Sequence, residues 1–170
     1  MTLKISLKNQ LYALREIIFI SLFYFGLVCF LYFKVEFELF RILFFSTLFF
    51  YLLVFLLPVL VLHINYLNKQ NYERVSIEEN KLIVGEAIYT VESISGINIY
   101  ATAQHINNRS GAYTLPYAMY YYYVEIALKK GDKIILSSLL DHKIDRILKE
   151  NFKTVEIIEN PSSFLSLLIS

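Results

Sequence analysis

The sequence predicts an α+β membrane protein: an N-terminal two-helix hairpin followed by an antiparallel, strand-rich module with a helix near its end. Three observations predict it. The 170-residue chain is 56% hydrophobic and 18% charged, against roughly 45–50% and 25% in soluble domains. Two apolar runs, residues 17–33 and 42–62, carry no charge. From Tyr72 onward the pattern changes to alternation, with turn residues between short segments.

The second apolar run is long enough, at about 1.5 Å per residue, to cover roughly 31 Å; the first covers roughly 25 Å and must borrow its flanks. A chain of this size has no interior for two cylinders that are apolar all round, so a bilayer is the expected surroundings. Only "KVEFELFR", Lys34 to Arg41, separates the runs, which makes the helices antiparallel with both chain ends on one side. Lys4, Lys8 and Arg15 precede the first run, and Lys69, Arg74 and Lys81 follow the second, against Lys34 and Arg41 between them. That bias predicts both termini in the cytoplasm. Pro58 marks either a kink or a tolerated distortion in the second span. The opening "MTLKISLKNQLYALRE" reads either as an amphipathic lead-in along the membrane surface or as an extension of the first helix. Residues 1–71 thus form the anchor and residues 72–170 the cytoplasmic module.

Charge and cysteine content exclude several functions. Residues 1–71 carry six Lys/Arg against three acids, and residues 72–170 carry ten against twelve. A slightly acidic module lacks the basic field that nucleic-acid binding requires. The single Cys29 lies in an apolar run with Gly26, Leu27 and Val28 before it, which suits packing rather than a disulfide, lipidation or a cleaved leader.

Within the module, Arg74 to Ile77, Lys81 to Val84, Ile88 to Val91 and Ile94 to Tyr100 read as strands, broken at Glu78-Glu79-Asn80 and Gly85-Glu86. After a polar loop, "TAQHINNRSGAYT", a strand runs from about Met119 to Leu128. "KKGD" turns it at Gly131, where a positive φ is available, and Lys133 to Leu136 returns. Ser138 with Asp141 reads as the cap of a helix whose Leu140, Ile144, Ile147 and Leu148 form one apolar stripe. "FKTVEII" is one more strand, and Asn160-Pro161 starts a short apolar tail containing Phe164.

This order of elements, with "KLIVGEAIYTVESISGINIY" as the early strand series and "VEIALKKGDKIILSSLLDHKIDRILKE" as the final hairpin and helix, resembles the bacterial pleckstrin-homology-like (YcxB-like) two-helix membrane proteins. The resemblance implies a PH-like, partly open antiparallel β-barrel plugged by the helix, used for binding or assembly at the bacterial cytoplasmic (inner) membrane. It departs from phosphoinositide-binding relatives in having Glu78-Glu79-Asn80 at the turn read as the first.

No residue pattern specifies an enzyme, a metal or a cofactor. His63, His105 and His142 have no metal-ligand spacing, and Asp141 and Asp145 are better used as a cap and as a partner for Lys149. His105 with Arg109 forms either an anion site or part of a solvated loop. In the tyrosine strand, Tyr120, Tyr122, Val124, Ile126 and Leu128 share the core face, and Met119, Tyr121 and Tyr123 share the other with Glu125 and Lys129. The second face is either a contact surface for a partner or a structural cover of the sheet. The functional expectation is a membrane-anchored binding or scaffold module with a protein or peptide partner, using Met119, Tyr121, Tyr123, His105, Arg109 and Phe164. The alternative is an accessory subunit of a larger membrane transport, secretion or assembly complex.

Overall fold

A computed structural model of the chain describes residues 1–70, 72, 74–107, 120–162 and 167–169. Its first element is a strand, β1 (Thr2–Lys4), which buries only Leu3 and pairs antiparallel with β2 (Arg74–Glu78), placing Leu3 opposite Val75. Residues 2–4 of the opening stretch therefore lie in a sheet, which neither reading of it foresaw, whereas residues 7–16 extend the first helix as one of the two readings had it. Helix α1 (Leu7–Lys34) begins only after Ser6, whose hydroxyl accepts the Asn9 N–H at 3.2 Å. That bond satisfies one of the orphan donors of the first turn.

Only Val35 and Glu36 separate α1 from α2 (Phe37–Phe50), fewer residues than the loop expected from Lys34 to Arg41. Helix α2 runs on through a π-helical stretch, Tyr51–Leu56, into α3 (Leu57–Lys69). Pro58 explains the π stretch. Proline has no N–H to give the ladder, and Leu57 just before it donates to Leu52, five residues back. Both helical runs, Leu7–Lys34 and Phe37–Lys69, are long and apolar enough to cross a membrane. Their outer faces carry bare rings: Phe23 is 77% exposed and Phe33 81%. Inside the hairpin, Tyr24 stacks on Tyr51 with centroids 4.6 Å apart, and the Tyr51 hydroxyl lies 2.6 Å from Ser21 Oγ.

Beyond the hairpin, β2, β3 (Lys81–Val84) and β4 (Ala87–Thr90) complete a four-stranded antiparallel sheet in the order β1-β2-β3-β4. Asn80, at φ 59°, and Gly85, at φ 61°, make the two tight turns that the sequence announces. The second sheet has the order β7-β6-β5-β8, from β5 (Ile94–Ala101), β6 (Tyr123–Leu128), β7 (Lys133–Ser137) and β8 (Ile157–Pro161). Gly131, at φ 94°, closes the β6–β7 hairpin as expected. β8 lies parallel to β5, so this sheet is mixed rather than antiparallel, and among the described residues the two sheets do not close into a barrel. Pro161, expected to start the tail, instead ends β8; as an edge strand β8 tolerates a residue that cannot donate. A short helix, α4 (Ala103–Asn107), follows β5.

Helix α5 (Ile144–Asn151) starts later than the Ser138 cap predicted. The sheet has claimed that serine: its N–H bonds Tyr122 O at 2.9 Å and its hydroxyl accepts the Tyr122 N–H at 3.4 Å. Asp141 takes over near the helix start, accepting the Lys143 N–H at 2.8 Å. Of the predicted stripe, Leu140, Ile144 and Leu148 are buried and Ile147 packs half-buried against them; with Phe152 they join Val75, Ile77, Leu82, Ile97, Tyr122, Val124 and Ile126 in one core between the sheets.

A second core lies on the opposite face of the β5–β7 sheet. Tyr121, Tyr123 and Leu139 meet Ala13 and Ile17 of α1 and Val59, Leu62 and Tyr66 of α3. Leu167 and Ile169 close it, with the Ile169 backbone exchanging two hydrogen bonds with the Asn65 side chain at 3.1 and 2.9 Å.

Candidate functional site

Tyr122 is sorted from Tyr121 and Tyr123 as the sequence predicts, but β6 begins only at Tyr123, and Tyr120, expected on the core face, lies outside the core. Tyr122 enters the inner core at 1% exposure, whereas Tyr121 (0%) and Tyr123 (9%) are covered by the chain's own helices. Tyr121 meets Tyr66 edge-on, and its hydroxyl lies 3.0 Å from His63 Nδ1; Tyr123 stacks on Tyr100 with centroids 4.7 Å apart. Burial drives the Tyr121 phenol well above its ordinary range. Burial, with Tyr100 and Glu125 nearby, pushes Tyr123 up to about 12. These rings join the helices to the sheet, with Tyr121 fully covered and Tyr123 nearly so. Met119, Arg109 and Phe164 lie outside the described residues.

Tyr120 sits at the edge of a polar cleft of about 500 Å³, enclosed by the second and third turns of α1, by α4, by α5 and by β8. His105 belongs to it. The His105 ring packs on Tyr122 with centroids 4.3 Å apart, and its Nε2 lies 3.3 Å from Asp145 Oδ2. Tyr122 donates its hydroxyl to the other Asp145 oxygen at 2.9 Å. Burial alone would push the Asp145 carboxyl up, but the bond and charge of His105, the Tyr122 hydroxyl and the Arg146 N–H together hold it below the usual carboxylate value. The expected Asp145–Lys149 pair does not form, because Lys149 turns to Glu159 on β8. Burial raises the Tyr120 phenol, opposed by Arg15.

On the opposite wall, the Arg15 guanidinium lies 4.5 Å from the Tyr12 ring centroid and 3.8 Å from that of Tyr120, whose hydroxyl accepts from it. The Tyr120 hydroxyl in turn donates to Glu16 at 3.2 Å. Tyr12 also packs on His142, centroids 4.3 Å apart, and Asn9 donates to Leu140 O at 2.6 Å, so the first turns of α1 are pinned to the start of α5. Lys143 and Arg146 are exposed at the rim.

Sequence reasoning found His105 and missed Tyr12, Arg15, His142, Lys143 and Arg146. One signal was present: Lys143, Arg146 and Lys149 recur every three residues, a basic stripe on one side of α5. Arg15 was read only as a topology charge, since its rings come from another part of the chain. Among the described residues no three His, Cys, Asp or Glu side chains gather as a metal site.

Two four-stranded sheets around a shared core with a helix packed into it, and two long apolar helices leaving from between neighbouring strands, define a PH-like α+β module. The chain belongs to the PH domain family: a PH domain family model matches residues 2–144, running from β1 across the whole hairpin to the start of α5. No curated protein and no solved structure matches the chain.

Proposed function

We propose that the chain is a membrane-anchored PH-domain module that holds a binding site at the cytoplasmic face, with the polar cleft as that site, and that it serves as a scaffold for a protein partner. One observation carries the reading. The apolar hairpin is inserted between two adjacent strands of one sheet, and its base is buried against the other sheet through Ala13, Ile17, Leu62 and Tyr66. A tether through a flexible linker would let the module tumble; two helices seated in its core fix which side faces the membrane. The bare phenylalanines of α1 and α2 support a lipid setting, since water would penalise so large an apolar surface. PH domains are generally non-catalytic binding modules, which further favours binding over catalysis.

The test combines extraction with labelling. The chain should stay in the membrane pellet after alkaline carbonate and leave it only with detergent. In a Cys29→Ser background, Glu36→Cys should react with an impermeant maleimide in intact cells, or in spheroplasts where an outer membrane blocks access. Glu79→Cys should react only after lysis. A chain recovered without detergent, or the reverse labelling pattern, would overturn the anchor or its orientation.

A further inference from the structure

We propose that the apolar hairpin is the interface of a parallel dimer of this chain, in which the groove between α1 and α2 of each copy receives the phenylalanine ridge of the other. The proposal goes beyond the reading of the chain as a membrane-anchored module and rests on that anchor.

The groove has a volume of about 640 Å³ and opens outward from the hairpin, walled by Phe19, Phe23 and Leu27 of α1 and by Ser46, Phe50 and Tyr51 of the second helical run. Its α1 rim is a ridge. Phe19, Phe23 and Phe30 recur at i, i+4 and i+11, which puts them on one side of the helix, and all three are exposed. Gly26 takes the remaining place in that stripe and leaves a notch, where a Cβ would meet nothing within 4 Å.

The antiparallel register of the hairpin fixes what lies beside the notch. Tyr51 reaches Ser21, and the rings of Tyr32 and Phe40 meet edge-on with centroids 5.4 Å apart. Both contacts put Gly26 at the level of Ser46. At about 1.5 Å per residue, that level is roughly 10–14 Å from either end of the charge-free run of α1, deep in the apolar layer.

Hydroxyls at this depth need partners from protein, since hydrocarbon offers none. Ser21 donates to Ile17 O at 2.6 Å and so accepts from Tyr51, and Thr47 donates to Leu43 O at 2.8 Å. Ser46 is exposed and has no hydrogen bond among the described residues; Tyr24 lines the same groove, and its covered hydroxyl has none either. Lipid chains filling the groove would leave both unsatisfied.

A second copy supplies what lipid cannot. A two-fold axis along the membrane normal keeps every residue at its own depth, so the Ser46 hydroxyls of the two copies meet at one level, beside the Gly26 notches. Small residues there let backbones approach, which is how helices associate where burial from water provides no drive. A two-fold interface requires each surface to be its own complement, and here ridge and groove stand side by side on one copy. Neither apolar run carries a charge that would repel its equal across the axis. Both modules then stand on the same side of the membrane, and a partner with two binding segments is held by both.

The experiment uses the full chain in native membranes, in a Cys29→Ser background. Ser46→Cys should oxidise to a disulfide-linked dimer with copper phenanthroline, which acts within the bilayer. Phe25→Cys, exposed but about 100° round α1 from Gly26, should not. Released from mild detergent in native mass spectrometry, the wild-type chain should be dimeric. Gly26→Ile, which fills the notch without touching the chain's own atoms, should weaken pairing at least tenfold with unchanged melting. Phe25→Ile should leave pairing as it was. Equal cross-linking at the two cysteine positions marks random collision and overturns the interface. Cross-linking of Ser46→Cys to a different protein, or a monomer that carries phospholipid in place of a second copy, gives the groove to another occupant and overturns the pairing. A monomer that resists carbonate extraction sinks the dimer and leaves the anchor standing, whereas release by carbonate sinks the anchor and the dimer with it.

Discussion

The Tyr66 ring on α3 meets the Tyr121 ring edge-on, with centroids 5.4 Å apart and planes at 89°, in a contact that neither ring shares with water. This is where the helical hairpin is bolted to the sheet, and the two phenols differ in one respect. The Tyr121 hydroxyl has His63 as partner, whereas the buried Tyr66 hydroxyl has none among the described residues.

The two positions should therefore respond oppositely to loss of a hydroxyl. Tyr66→Phe removes an unsatisfied polar atom and should leave stability unchanged or raised, while Tyr121→Phe should lower it by about 1 kcal/mol. Tyr121→Ala empties the joint and should cost on the order of 3 kcal/mol. Denaturant midpoints of the detergent-solubilised chain rank the three; equal effects of the two Phe variants would contradict the hydrogen-bond assignment.

Replacing residues 6–71 by a short Asn-Gly turn should convert β1 and β2 into an ordinary hairpin, since Lys4 already stands opposite Arg74. Such a chain should give a β-dominated circular dichroism spectrum. It should remain prone to association until Tyr121 and Tyr123, uncovered by the deletion, are made polar. The simple fragment 72–170 lacks β1 and leaves the β2 edge open, so it should be the less stable of the two. A fragment as stable as the spliced chain would show β1 to be dispensable.

Acid should loosen the cleft through Asp145. Its folded-state value is depressed below the ordinary 3.8, so its contribution is complete above that value and is lost as pH falls through the lower folded one. Asp145→Asn should flatten this part of the stability profile. Asp145→Ala should in addition strand the donors of Tyr122 and His105, for a loss of about 1–3 kcal/mol at neutral pH. Urea midpoints across the acid range test both, and an unchanged acid slope in the Asn variant would rule Asp145 out as its source.

Alkali should act on the tyrosine run with the opposite sign. The folded values are raised, so stability from these neutral phenols is complete below the ordinary value of 10.0 and falls as pH rises from there toward about 12, where Tyr123 ionises in place. The tyrosinate absorbance of Tyr121 and Tyr122, read as the difference from their Phe variants, should lag in the native chain and appear together with unfolding. A smooth titration of every tyrosine near the ordinary value would show the rings to be open to water.

Turn chemistry was the part of the fold most legible from residues, because Asn80, Gly85 and Gly131 occupy backbone conformations that their own side chains, or lack of one, permit. The apolar hairpin and the α5 stripe were legible for the same local reason. Strand β1 was not: three residues with one apolar side chain give no period, and the partner that makes them a strand stands beyond both long helices. Nor was the parallel pairing of β8 legible, since alternation specifies a face and not a direction. In the cleft, the basic stripe on α5 was readable, but the Tyr12 and Tyr120 faces around Arg15 come from distant segments and only folding brings them together.

Placing a hairpin between neighbouring strands also dictates an order of assembly. As the chain emerges during synthesis, Leu3 has no partner until both long helices and then Val75 have been made. Closing so long a loop from a random coil is entropically unfavourable, but two helices lying antiparallel bring its ends together and remove most of that cost beforehand. Correct pairing of the helices thus becomes a checkpoint for the sheet. A chain whose helices fail to pair is left with β2 unsheltered along one side, a recognisable target for chaperones and proteases rather than a half-working product.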